Sequence, residues 1–79
     1  MRMIYSVWVN LFYDLEEWDY FSIENVVADK PLSYDKVLEI ALAEAIKDVE
    51  DVYGISDEHL DYSKASIISV VSKDSFLNE

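Results

Sequence analysis

The sequence predicts an α+β domain of ββαβ order: a three-stranded antiparallel or mixed sheet, order 2-1-3, with one helix packed on one face. Three observations carry that expectation. Residues 3–13 and about 19–28 are rich in aromatic and β-branched types and are parted by the polar stretch "DLEEWD". From Tyr34 to Tyr53 apolar residues recur at three- and four-residue steps and stop at Gly54, the only glycine. Residues 64–72, "KASIISVVS", then return to strand-forming composition.

The first two segments read as a hairpin. If Tyr5, Val7, Val9 and Leu11 share a face with Phe21, Ile23 and Val27, residue 11 pairs with 21 and residue 9 with 23. The other face then shows Trp8 beside Glu24, Asn10 beside Ser22 and Phe12 beside Tyr20. Pro31 removes a ladder donor and ends the second strand, and Ser33 is placed to cap a helix. The stripe Leu38, Ala41, Leu42, Ala45, Val49, Val52 gives that helix one apolar side. Residues 55–62 read as a loop with room for one helical turn capped by Ser56, and "KDSFLNE" at 73–79 as a frayed tail. A right-handed crossover from the second strand to the third puts the first strand in the centre, which suits its apolar content on both faces.

Seventy-nine residues make a single small acidic domain, close to the size at which one core is only marginally sufficient. The chain has no cysteine, which excludes disulfides and thiolate metal sites and fits a cytoplasmic protein. Polar residues interrupt the apolar start "MRMIYSVWVN" and no small-residue cleavage site follows, so a signal peptide is not expected, nor is a membrane span. Seventeen acids against six basic residues give a net charge of -11, yet 52% of residues are hydrophobic, which separates the chain from a disordered acidic tail. Arg2 is its only arginine. Direct binding to nucleic acid or to an anionic membrane is therefore not expected, whereas a basic protein would be attracted.

The placement of acid is more specific than its amount. A helix ends in unpaired carbonyls carrying partial negative charge, where Lys or Arg is favoured. Here "AIKDVEDVYG" sets Asp48, Glu50 and Asp51 against Lys47 alone, with Glu44 one turn earlier. The "DLEEWD" tip adds Asp14, Glu16, Glu17 and Asp19 around Leu15 and Trp18. Trp18 either anchors a partner inside that polar rim or folds back over the core edge; the residues leave both open. A solvated face that serves solubility accounts for the abundance of acid, but not for acid where it opposes the helix dipole.

One helix covers one face, so Ile4, Trp8, Phe12, Tyr20 and Val26 are expected on a face open to water. Trp8, Phe12 and Tyr20 are the candidate interface there, for a homodimer or another protein. No catalytic, cofactor-binding or metal-ligating set stands out. His59 lies among Asp57, Glu58 and Asp61, the residue types of a metal site or a tuned base, but neighbours in one short turn rarely converge on an ion and no second histidine completes a set. An enzyme is not expected, and no cofactor.

In charge and size the chain is similar to the small acidic anti-restriction and anti-CRISPR proteins of phages and mobile elements. That resemblance implies an inhibitor or DNA mimic, whose carboxylates occupy a basic groove built for phosphates. The alternative is a structural or regulatory module that assembles through the open sheet face.

Overall fold

Three antiparallel strands and one helix organise the computed structural model, which describes residues 2–15 and 18–72. The strands are β1 (Met3–Tyr13), β2 (Asp19–Ala28) and β3 (Leu60–Ser72); the helix is α1 (Tyr34–Tyr53). Sheet order is β2-β1-β3, with β1 antiparallel to both neighbours. The expected α+β architecture is thus the observed one. The tail 73–79 and the tip residues Glu16 and Glu17 lie outside the described residues.

α1 begins and ends where its caps dictate. The Ser33 hydroxyl accepts the Lys36 backbone N–H at 3.2 Å, satisfying one of the orphan donors of the first turn. At the other end Gly54 adopts φ 69, the left-handed conformation that a side chain resists, and donates its N–H to the Glu50 carbonyl at 3.0 Å. Between the caps, Val37, Ala41, Ala45 and Val49 stand four residues apart on one line and are fully buried. Two alanines at the middle of that line let the helix lie close over Val7, Val9 and Leu11 of β1, which are also fully buried. Burial of side chains such as Leu11 and Val49 contributes about 1.5–3 kcal/mol each.

The strand register differs from the expected one by a single residue, and the difference changes which side chains share a face. Val9 pairs with Ser22 and Leu11 with Tyr20, rather than with Ile23 and Phe21. Tyr20, Ser22, Glu24 and Val26 therefore lie on the helix side, while Phe21, Ile23 and Val27 face away at 61%, 48% and 57% exposure. Tyr20 and Val26, expected on the open face, are the corrections; Val26 is in the core. Trp8 stands opposite Ile23, Asn10 opposite Phe21 and Phe12 opposite Asp19. Hairpin closure decides this: the Tyr13 N–H donates to the Trp18 carbonyl at 3.0 Å, which fixes every later pair.

β3 starts at Leu60, four residues before the expected Lys64, because the ladder to β1 continues through Leu11–Ser63, Phe12–Tyr62 and Tyr13–Leu60. The polar "DYS" at 61–63 gave no sign of a strand. Its pairing is helped by Phe12 stacking on Tyr62 at 4.3 Å. Before β3, the expected single helical turn is present as a 3-10 turn, Asp57–His59, capped by the Ser56 side chain.

Candidate partner-binding surface

α1 runs from the end of the sheet where β1 begins to the end where the β1–β2 hairpin turns. Two contacts fix this: Leu32, just before the helix, donates its N–H to the Tyr5 hydroxyl at 2.9 Å, and Tyr53 at its end packs edge-on against Trp18 at 5.2 Å between ring centroids. The helix end, the hairpin and the 3-10 turn are therefore gathered at one end of the molecule.

On α1, Glu44, Asp48 and Asp51 stand at i, i+4 and i+7, a row along one flank, and Glu50 lies on the back. Glu44, Glu50 and Asp51 are exposed and Asp48 is half-buried. No basic residue occupies the last turn. Among the described residues the one Lys–carboxylate pair within 4 Å is Lys36–Glu39, at 3.6 Å, far from this end. Among the described residues the acids at the helix end thus have no ion-pair partner, and Glu44, Glu50 and Asp51 point their charge at solvent.

The flank that carries them is the β2 side. Burial raises the Tyr20 phenol above its ordinary value, and the carboxylates of Asp48 and Glu24 push it further in the same direction while a hydrogen bond with Ser22 opposes them. Glu24, on the helix side of β2, thereby joins the acidic row; the Ser22 hydroxyl donates to it at 2.6 Å. The expected register puts Glu24 beside Trp8 on the open face; the observed pairing of Glu24 with Val7 brings it here.

The hairpin supplies Asp14, whose N–H donates to the His59 carbonyl at 2.9 Å and whose carboxylate lies 3.3 Å from His59 Nδ1. That double link pins the 3-10 turn to the hairpin and adds Asp57, Glu58 and Asp61 to the same end, three acids not selected from the sequence as partner-binding. Their signal is the charge run "SDEHLD", whose residue types the sequence offers for a metal site or a tuned base. His59 Nε2 lies 3.7 Å from Glu58, and among the described residues no group of three or more His, Cys, Asp or Glu side chains is placed to hold a metal ion.

Trp18 folds back over the core edge rather than standing free. Its ring packs against Tyr13 at 5.4 Å, Tyr53 at 5.2 Å and Tyr20 at 6.4 Å, an aromatic buttress beneath the acids. Asp19 does not join them: it lies on the open face, where Asn10 Nδ2 donates to its carboxylate at 3.3 Å. Glu16 and Glu17 fall outside the described residues.

The two ends differ in charge balance. At the β1 start, Asp29, Asp35 and Glu39 are matched by Arg2, Lys30 and Lys36. At the hairpin end, Asp14, Asp48, Glu50, Asp51, Asp57, Glu58 and Asp61 face only Lys47 among the described lysines and arginines outside the open sheet face. Among the described residues no helix is long and apolar enough to cross a membrane. No protein family, curated protein or solved structure matches the chain.

Proposed function

We propose that the chain is a non-enzymatic protein-binding domain whose acidic end docks on a basic, nucleic-acid-binding protein, as an inhibitor or DNA mimic of the anti-restriction or anti-CRISPR type. The observation that supports this reading is the gathering of carboxylates from three separate elements at one end, none of them paired with a lysine or arginine among the described residues, including the helix terminus where acid is disfavoured. A groove built for a polyanion presents Lys and Arg at close spacing, and a rigid carboxylate array meets the same field as phosphates do. Asp14, Asp48, Glu50 and Asp51 form the centre of the surface, with Glu44 and Glu24 extending it along the helix flank. The aromatic buttress ties the helix end to the hairpin, so the elements that carry the acids need no rearrangement on binding.

The test is retention of basic partners from an extract by the immobilised protein, with wild type compared to an Asp48→Lys, Glu50→Lys, Asp51→Lys variant at low and high salt. Loss of the partner in the variant, elution by salt, and competition by duplex DNA support the reading. A partner retained equally by both proteins and indifferent to salt sinks it.

A further inference from the structure

We propose that the outer edge of β2 takes up an extended segment of the partner as a fourth strand, one whose Lys or Arg side chains alternate with apolar ones; this deepens, and rests on, the basic-partner reading above. β2 is the last described strand on its side of the sheet. The Tyr13 N–H bonds to the Trp18 carbonyl, and bonded and unbonded residues alternate along an antiparallel ladder, so Tyr20, Ser22, Glu24 and Val26 turn their backbone groups toward β1. Asp19, Phe21, Ile23, Asn25 and Val27 turn theirs outward, a row of donors and acceptors that a further strand would engage.

The two edges of the sheet differ in what guards them. Edge strands are commonly kept from pairing by bulges, by proline and by lysine. β3 shifts its register at Ser6/Val7 and at Phe12/Tyr13 and carries Lys64. β2 keeps one register throughout and contains no proline, lysine or arginine. Its charge on the helix side is Glu24, and the flank of α1 above it holds Glu44, Asp48 and Asp51 with Lys47 among them; Asp48 is near enough to raise the Tyr20 phenol. Those carboxylates turn away a second copy of β2, whose antiparallel pairing in one continuous sheet would set two acidic flanks side by side. They favour Lys or Arg at every other position of an incoming strand. The positions between fall on the open face beside Phe21, Ile23 and Val27, all exposed, where apolar side chains are favoured. A period-two alternation of basic and apolar residues is the chemistry this edge recognises.

The probe is a blocked peptide of about nine residues alternating Lys and Val, long enough to span the edge, with a Glu–Val counterpart for comparison. Added to the full chain, the Lys–Val peptide is expected to slow hydrogen exchange about tenfold or more at the Phe21, Ile23 and Asn25 amides, and to leave the outward amides of β3 at Ser63 and Ala65 unchanged. Ile23→Pro removes one outward donor while the ladder to β1 is kept. It is expected to weaken the peptide about tenfold with the far-ultraviolet spectrum unchanged, whereas Ser63→Pro on the other edge is not. Glu24→Lys leaves every backbone group in place; it is expected to weaken the Lys–Val peptide about tenfold and to admit the Glu–Val one. No slowing, equal binding of the two peptides by the wild type, protection of β3 instead of β2, or indifference to both Ile23→Pro and Glu24→Lys overturns the proposal. In the extract test above, a partner lost by the Asp48→Lys, Glu50→Lys, Asp51→Lys variant and kept by Ile23→Pro overturns the added strand alone and leaves the acidic surface standing.

Discussion

The hydroxyl of Tyr5, on the central strand, accepts the backbone N–H of Leu32 at 2.9 Å, so the chain entering the helix is tied to the sheet by one side-chain oxygen. Tyr5 is 5% exposed, and the donor it satisfies has no other partner in the turn that "DKPLS" makes. Tyr5→Phe keeps the ring and removes the acceptor. A loss of about 1–2 kcal/mol in urea unfolding is expected; an unchanged midpoint would show the bond to be dispensable.

Tyr13 is the counterpart with the opposite sign. Its ring is 4% exposed against Trp18, and its hydroxyl is buried without a hydrogen-bond partner. A buried unpaired hydroxyl costs about 1–3 kcal/mol, so Tyr13→Phe should leave stability equal or raise it by about 1 kcal/mol. Destabilisation in urea unfolding would reveal a partner for that hydroxyl.

Alkaline pH should act through the same group. Burial raises the Tyr13 phenol above the ordinary value of 10.0, with the Asp57 carboxylate adding to it, and burial likewise raises Tyr20. A raised folded value means that the folded state holds the proton more tightly than the unfolded state. Its contribution is fully present below the ordinary tyrosine value and is lost as pH rises through the raised one. Tyrosinate absorbance should therefore show Tyr13 and Tyr20 ionising above the ordinary value, and the urea midpoint should fall over that window, less steeply in Tyr13→Phe. Tyr13 and Tyr20 ionising at the ordinary value would refute this.

The acids at the helix end should trade stability for binding. Glu50→Lys and Asp51→Lys each replace a charge that opposes the helix dipole by one that complements it, for a gain of about 0.3–1 kcal/mol at low salt that shrinks as salt is added. The same variants should bind a basic partner more weakly. Thermal unfolding at two ionic strengths checks the first half, and no gain at low salt would mean that these carboxylates are compensated in a way the ion-pair geometry does not show.

Gly54→Ala isolates backbone strain. At φ 69 a side chain is disfavoured, yet nothing stands within 4 Å of where its Cβ would lie, so the cost is conformational alone. About 1 kcal/mol is expected in urea unfolding, with the helix content retained. A cost several times larger would mean that the helix end repacks.

The sequence alone determined what each segment is. Ser33 and Gly54 mark the helix ends, the three- and four-residue stripe gives Ala41, Ala45 and Val49 of its buried line though Val37 joins them and Val52 stays 70% exposed, and the aromatic and β-branched runs give β1 and β2, because caps and periodicity act over a few residues and need no distant partner. It also determined the net charge and the anomaly at Asp48, Glu50 and Asp51. Tertiary structure decided the register. Both faces of β2 carry apolar residues, Phe21, Ile23 and Val27 on one and Tyr20 and Val26 on the other, so a period of two cannot tell which is buried. The choice falls to hairpin closure at Tyr13 and Trp18 and to the packing of Tyr20 against Tyr53. One residue of slip moves Glu24 into the acidic flank and Phe21 and Ile23 into water, and no pattern within a single strand contains that information.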